Sequence, residues 1–302
     1  MKEFIDNFGE QYSKTLIPLD ICIAKVLSFF GVQRIYGIGG DYITLLAETL
    51  GEKFELLPAT NETHAGYAAC AEAELGKLGV CLTTYCVGSL PTLSAAALAK
   101  AEQLPVVFIS GAPGEDETNN TALHHTIHSP DHWNINFDGA LDAFSALGIH
   151  AERLQGSRGS GQPSIAGENF FQLCQRAYLK KEPVFVEIPR DLVQMKTQPL
   201  NLSKGKNNDS YSLCGADLIA NEIKNRLELV KYPVVFFGSR LRHNTKLLEY
   251  LHCFCETLKI PYMTNIFAKG IFDEFNPLNL GHYNGVFSNP DAKYYLDKKA
   301  DF

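Results

Sequence analysis

Four short stretches collect the residue types that can move protons, cradle a charged group or hold a cofactor. Gly37-Ile38-Gly39-Gly40-Asp41 is a backbone-permissive turn ending on an acid. It lacks G-x-G-x-x-G spacing, so as a dinucleotide signal it is weak. Asp41 reads either as a functional acid or as the cap of the next helix. Pro58-Ala59-Thr60-Asn61-Glu62-Thr63-His64 leads into the small-residue run Ala65-Gly66-Tyr67-Ala68-Ala69. Glu62 falls in the first turn of that helix, where a carboxylate can do chemistry or simply complement the helix dipole. Thr84-Tyr85-Cys86-Val87-Gly88-Ser89 is a small-residue turn that either lets a ligand approach the backbone or only redirects the chain.

The fourth stretch follows the polar loop Ser110 to Thr121. Four of the nine histidines, His124, His125, His128 and His132, cluster there. The i, i+4, i+8 spacing of His124, His128 and His132 raises a metal site. Pro130 interrupts any helix that would align them, and no acid or thiol completes a ligand set. Proton transfer by His124 and His125 is the sharper reading, and a polar loop carrying histidines is the plainer one.

These stretches sit where an alternating pattern of helices and short apolar runs puts strand ends. A helix is expected from Pro18 to Phe30, closed by Gly31. Strands are expected at Arg34–Gly37, Phe54–Leu57, Val80–Thr84, Val106–Ile109 and Val184–Ile188, with helices from Asn61 to Lys77 and Leu90 to Gln103 between them. Four- and five-residue runs rich in apolar and β-branched residues suit parallel strands buried on both faces. The class is therefore α/β, a doubly wound parallel sheet, and in such sheets ligands sit beyond the carboxyl ends of the strands. Gln198 to Ser210 is polar and turn-rich and forms the best boundary. A second α/β pattern follows, with helices at Gly215–Leu229, Asn244–Leu258 and Asp291–Lys299 and strands at Pro233–Gly238 and Ile260–Met263. Two clear strands make a small sheet with an exposed edge, so this second domain is expected to be incomplete at its C-terminus.

Composition narrows the function classes. The 302 residues suit two domains. Lys plus Arg is 27 and Asp plus Glu is 34, a net −7, which argues against nucleic acid or an anionic membrane as the main partner. No apolar run approaches a membrane span, and the charged start Met1-Lys2-Glu3-Phe4-Ile5-Asp6 does not open a signal peptide, so a cytoplasmic protein is the expectation. The eight cysteines lie mostly within apolar segments without a C-x-x-C, as reduced buried thiols do.

Taken together and in order, Gly40-Asp41-Tyr42, Asn61-Glu62 with Ala65 to Ala69, Thr83 to Gly88, and Leu123-His124-His125-Thr126 resemble the thiamine-diphosphate-dependent 2-oxo acid decarboxylases, the group of pyruvate and indolepyruvate decarboxylases. Pro183 to Pro189 looks like the close of that family's pyrimidine-binding domain, and Ala268 to Glu274 like its central-domain Gly-Lys-Gly segment. The resemblance implies a pyrimidine-binding domain over residues 1–192, a linker at 193–210, and a central domain over 211–302.

The resemblance also implies roles. Glu62 matches the carboxylate that hydrogen-bonds the cofactor's pyrimidine, and Thr84 and Gly88 match cofactor-binding positions. Asp41, His124 and His125 match proton-transfer and positioning residues in the release of carbon dioxide and an aldehyde from a 2-oxo acid. The implied cofactors are thiamine diphosphate and Mg2+, and the implied assembly is a homodimer or homotetramer. The alanine-rich Ser94 to Ala99 suggests close packing, so the helix Leu90 to Gln103 is expected at the subunit interface.

There are departures. Cys86 and Ser89 stand where the family usually has Gly and Glu, and His128 to Trp133 replaces a Gly-rich segment. The Gly-Asp-Gly…Asn motif that binds magnesium and diphosphate is absent, so those ligands are expected in a domain that this chain lacks. The alternative reading is a catalytically inactive, truncated homologue serving as a binding or assembly module.

Overall fold

The computed structural model describes residues 16–120, 124–129, 134–156, 163–200, 202 and 215–302. Two compact units divide between residues 203 and 204. In the first, strands β1 (Ile17–Pro18), β2 (Arg34–Gly37), β3 (Glu55–Pro58), β4 (Gly79–Thr83), β5 (Val106–Ala112), β6 (Ile127–His128), β7 (Ile135–Asn136), β8 (His150–Arg153), β9 (Val184–Pro189) and β10 (Lys196–Thr197) alternate with helices.

Six of these strands form one parallel sheet in the order β3-β2-β4-β5-β9-β8. β4, β5 and β9 at its centre are buried along their whole length, which explains their unbroken apolar sequences. β1 pairs antiparallel with β10, so residues up to Thr197 belong structurally to this unit.

Helices cover both faces. Leu19–Phe29, Thr44–Gly51 and Ala166–Lys180 contribute to one apolar core with Ile35, Val107 and Val186. Glu62–Glu74, Leu93–Glu102 and Gly139–Ala146 contribute to a second with Cys81, Phe108 and Phe185. The doubly wound α/β expectation thus holds.

The chain runs outward from β2 to β3 and then crosses back to β4 on the other side of β2. This reversal makes the carboxyl ends of β2 and β4 the switch point, where a crevice opens in such sheets. The expected strands all form, within a few residues of the sequence reading. β8 escaped it because His-Ala-Glu-Arg is a polar edge strand with no apolar run to recognise. The stretch Leu90 to Gln103 is split: a short 3-10 turn at Leu90–Thr92 precedes the α-helix Leu93–Glu102.

The second unit has a parallel three-stranded sheet, β11 (Val235–Phe237), β12 (Tyr262–Thr264) and β13 (Asn279–His282), in that order. β13 was not expected because Asn-Leu-Gly-His has almost no apolar content. Helices Ala216–Leu229, Thr245–Leu258 and Pro290–Lys298 belong to this unit. Phe237, Cys255 and Tyr262 form its buried centre. Among the described residues no helix is long and apolar enough to cross a membrane.

Candidate active site

The switch point assembles three of the four motif stretches around one side chain. Thr84 follows β4 directly, and its backbone carbonyl is held by the Ser110 hydroxyl at 3.1 Å. Gly40, in the turn after β2, lies so close that a Cβ there would stand 2.6 Å from Thr84 Cβ and 2.7 Å from its Oγ1. Gly88 approaches from the other side: a Cβ on it would stand 2.5 Å from Thr84 Cγ2 and 3.8 Å from Glu62 Oε1. Two glycines therefore wall in Thr84, and the Glu62 carboxylate faces the same corner.

The hydroxyl of Thr84 is buried yet has no hydrogen-bond partner among the described residues. Such an orphan costs about 1–3 kcal/mol unless something supplies its bond. A buried hydroxyl in need of a partner, close to a carboxylate at the carboxyl ends of the strands, is a candidate polar contact for a ligand.

Glu62 is positioned by a well-capped helix. Asn61 accepts the His64 backbone N–H at 2.9 Å, Thr60 Oγ1 meets His64 Nδ1 at 2.5 Å, and Thr63 donates to the Pro91 carbonyl at 2.8 Å. With Asn61 as the cap, Glu62 is not needed to start the helix, although it does lie at the dipole's positive end. The small residues of this helix serve close packing. A Cβ at Gly66 would fall 2.7 Å from Ala95 Cβ, and Cys70 donates to the Ala95 carbonyl at 3.4 Å. The alanine face Ala95, Ala96 and Ala99 is thus buried within the same unit. Its composition is accounted for without a second subunit, while Leu98 and Tyr67 are exposed.

The fourth stretch meets the turn after β2. Asp41 Oδ2 lies 2.6 Å from His124 Nε2. Asp41 does not cap the next helix, since that helix begins at Thr44 after Ile43. Tyr42, buried and adjacent, donates from its hydroxyl to the His124 carbonyl at 3.3 Å, and its ring lies 5.2 Å from that of His124 and 6.4 Å from that of His125. The two histidine rings stand edge to face at 4.6 Å, and His125 takes a left-handed φ of 59°.

Arg190 lies over the Tyr42 ring at 5.0 Å and pairs with Glu117, which also accepts the Gly114 N–H at 2.9 Å. Burial pushes the Tyr42 phenol up, with the Arg190 cation opposing. Tyr42 and Arg190 were not singled out from sequence. The only signal was a tyrosine directly after the candidate acid, and nothing pointed to an arginine after Pro189.

His128 lies in β6, so His124 and His128 share no helix, and His132 lies outside the described residues. Among the described residues no three His, Cys, Asp or Glu side chains gather as a metal site. Cys86 and Ser89 occupy a turn in which Cys86 takes a left-handed φ of 42° and Ser89 donates to the Cys86 carbonyl at 3.0 Å. That backbone explains why glycine would suit position 86.

A parallel doubly wound unit with this cradle at its switch point is matched by the thiamine pyrophosphate enzyme N-terminal binding domain over residues 20–135, and the second unit by that family's central domain over residues 220–302. The chain belongs to the thiamine pyrophosphate enzymes, in the 2-oxo acid decarboxylase family that its motifs resemble. It is 30% identical over 265 residues to a pyruvate decarboxylase of Aspergillus parasiticus, covering 86% of this chain and 44% of that one. It is 28% identical over 283 residues to an indole-3-pyruvate decarboxylase of Azospirillum brasilense, covering 91% and 48%. With pyruvate decarboxylase 1 of Zea mays the identity is 28% over 281 residues, covering 88% and 43%. The chain spans about half the length of the curated relatives it matches.

Proposed function

We propose that this chain carries the pyrimidine-binding part of a thiamine-diphosphate-dependent decarboxylase that releases an aldehyde and carbon dioxide from a 2-oxo acid. The observation that carries this reading is the cradle of Gly40, Thr84, Gly88 and Glu62 at the sheet's switch point, with a buried hydroxyl that lacks a partner among the described residues. Glu62, Thr84 and Gly88 would hold the pyrimidine: Glu62 through its carboxylate, Thr84 through Oγ1, and Gly88 by letting its turn close on Thr84 Cγ2. When bound, thiamine diphosphate supplies the nucleophilic carbon and the electron sink for loss of carbon dioxide. Glu62 then holds a proton at the pyrimidine ring nitrogen. The Asp41 carboxylate orients the His124 imidazole through Nε2, and the histidine pair handles protons on the substrate side.

The diphosphate and Mg2+ are assigned to residues outside this chain. A homodimer or homotetramer is proposed, with exposed Tyr67 on the Glu62 helix and Leu98 on the helix Leu93–Glu102 as contact residues. The domain limits proposed are 1–192 and 211–302, joined by 193–210, the first part of which, to Thr197, pairs back onto the first unit.

The test is decarboxylation of pyruvate and indole-3-pyruvate by the protein supplied with a diphosphate-binding domain, in cis or in trans. Glu62→Gln is expected to lower turnover at least ~10²-fold, the lower range for a positioned proton-transfer group. Near-native turnover in that variant would return Glu62 to a helix-terminus acid.

A further inference from the structure

A second buried polar cluster lies on β8 and β9, outside the cradle. Glu187, in the middle of β9, is fully buried, and its neighbour across β5 is Ser110. Its Oε2 accepts from Arg153 Nε at 2.8 Å and lies 2.7 Å from Arg153 Nη2. Its Oε1 is buried and accepts no hydrogen bond among the described residues.

The same Arg153 reaches outward. It donates to the Phe137 carbonyl at 2.5 Å and to Asp138 Oδ1 at 3.0 Å. Tyr85, directly after Thr84, donates to that same Phe137 carbonyl at 2.9 Å. Phe137 directly follows the antiparallel hairpin of β6 and β7, which begins two residues after His125. One guanidinium therefore ties the end of this hairpin to the buried middle of the sheet.

We propose that Arg153 and Glu187 form a proton-sensitive anchor for the hairpin that follows the histidine pair, gripping it while Glu187 is ionised and releasing it when Glu187 takes a proton. The geometry sets the direction. Ionised, Glu187 binds Arg153 through one oxygen and, among the described residues, leaves the other buried without a donor, so the charge is poorly satisfied and Oε1 is the ready site for a proton. Protonation at Oε1 leaves Oε2 only a neutral acceptor for Arg153, so the buried ion pair is lost and the exposed Asp138 becomes the anionic partner that remains to the guanidinium among the described residues.

The groups facing Glu187 are Arg153 from β8, Tyr85 and Cys86 from the turn after β4, and Asp138 from the end of the hairpin. Burial pushes the carboxyl up to about 7, with Arg153 as the main opposing influence and Asp138 adding to the rise. Moving Arg153 away removes that opposition and favours the proton further. By linkage, proton uptake and release of Arg153 promote each other. The anchor does not rest on the proton roles proposed for the histidines, so the two readings can fail separately.

Hydrogen–deuterium exchange of the hairpin amides in the intact chain, corrected for intrinsic rates, tests this. Protection over residues 127–129 and 134–138 is expected to fall about tenfold from about pH 8 to about pH 6, the effect of one linked proton, while the amides of β4 and β5 stay protected. Glu187→Gln should flatten the profile at the weakly protected level. Arg153→Lys, which keeps the charge but loses the fork, should move the midpoint upward. A flat wild-type profile overturns the proposal. So does an unchanged pH dependence in Glu187→Gln, which would place the titration on His124, His125 or His128. Should Glu187→Gln not fold, Arg153→Lys decides: an upward shift supports the anchor, and an unmoved midpoint overturns it.

Discussion

Gly88→Ala offers a direct test of the cradle, because its cost can be traced to one methyl group. The added Cβ would stand 2.5 Å from Thr84 Cγ2, and the next neighbours, Thr84 Cβ at 3.5 Å and Glu62 Oε1 at 3.8 Å, are at ordinary contact distances. The overlap is roughly 1 Å against one atom, and Thr84 cannot simply swing away, since it is buried and its carbonyl is tied to Ser110. Overpacking of this kind costs about 1–3 kcal/mol. For a unit of this size each kcal/mol shifts Tm by about 2–4 °C, so a drop of roughly 2–12 °C is expected.

Thr84→Ser removes only Cγ2 and should itself cost about 1 kcal/mol for the lost buried methyl. In that background the alanine has room, so the two substitutions should be strongly non-additive, with the double variant nearly as stable as Thr84→Ser alone. Thermal unfolding of the four proteins by circular dichroism provides the cycle. Equal costs of Gly88→Ala in both backgrounds would show that Thr84 is not what Gly88 makes room for, and the cradle would lose its central contact.

Two further outcomes follow from burial. In the native chain Cys253 is exposed whereas Cys22, Cys70, Cys81, Cys86, Cys174 and Cys255 are buried, and burial pushes Cys22 and Cys70 up to about 12 and Cys86 up to about 11. A thiol reagent with peptide mapping should therefore label Cys253 and spare those six, and rapid native labelling of Cys86 would refute the closed packing of its turn. Because the folded pKa of Glu187 is raised to about 7 from 4.5, its stabilising contribution is fully present below the unfolded value and is lost as pH rises through 7. Urea unfolding of wild type against Glu187→Gln should show the wild type losing up to about 3 kcal/mol relative to the variant over that window, and a pH-independent difference would contradict the burial argument.

The fold class was legible because the buried strands advertise themselves. Val106 to Ile109 and Val184 to Ile188 must be apolar on both faces of a covered parallel sheet, so their period is unmistakable, and the helices between them define the crossovers. The candidate site residues were chosen on one legible rule, that Asp41, Glu62, Thr84, Gly88, His124 and His125 all come after strands.

Which of them meet was settled only by the tertiary structure. Gly40, Thr84 and Gly88 share one corner because β2 and β4 are neighbours while β3, between them in sequence, lies on the far side of β2. The strand order is a property of the whole sheet and leaves no local trace. Likewise β8 and β13 pair through backbone hydrogen bonds that polar sequences make as well as apolar ones, so their composition could not announce them. The anchor at Glu187 is the extreme case: it needs β9 to bury a carboxylate, β8 to bring Arg153 alongside, and the hairpin to end at Phe137. In the sequence those residues are 34 and 16 positions apart, and only packing makes them neighbours.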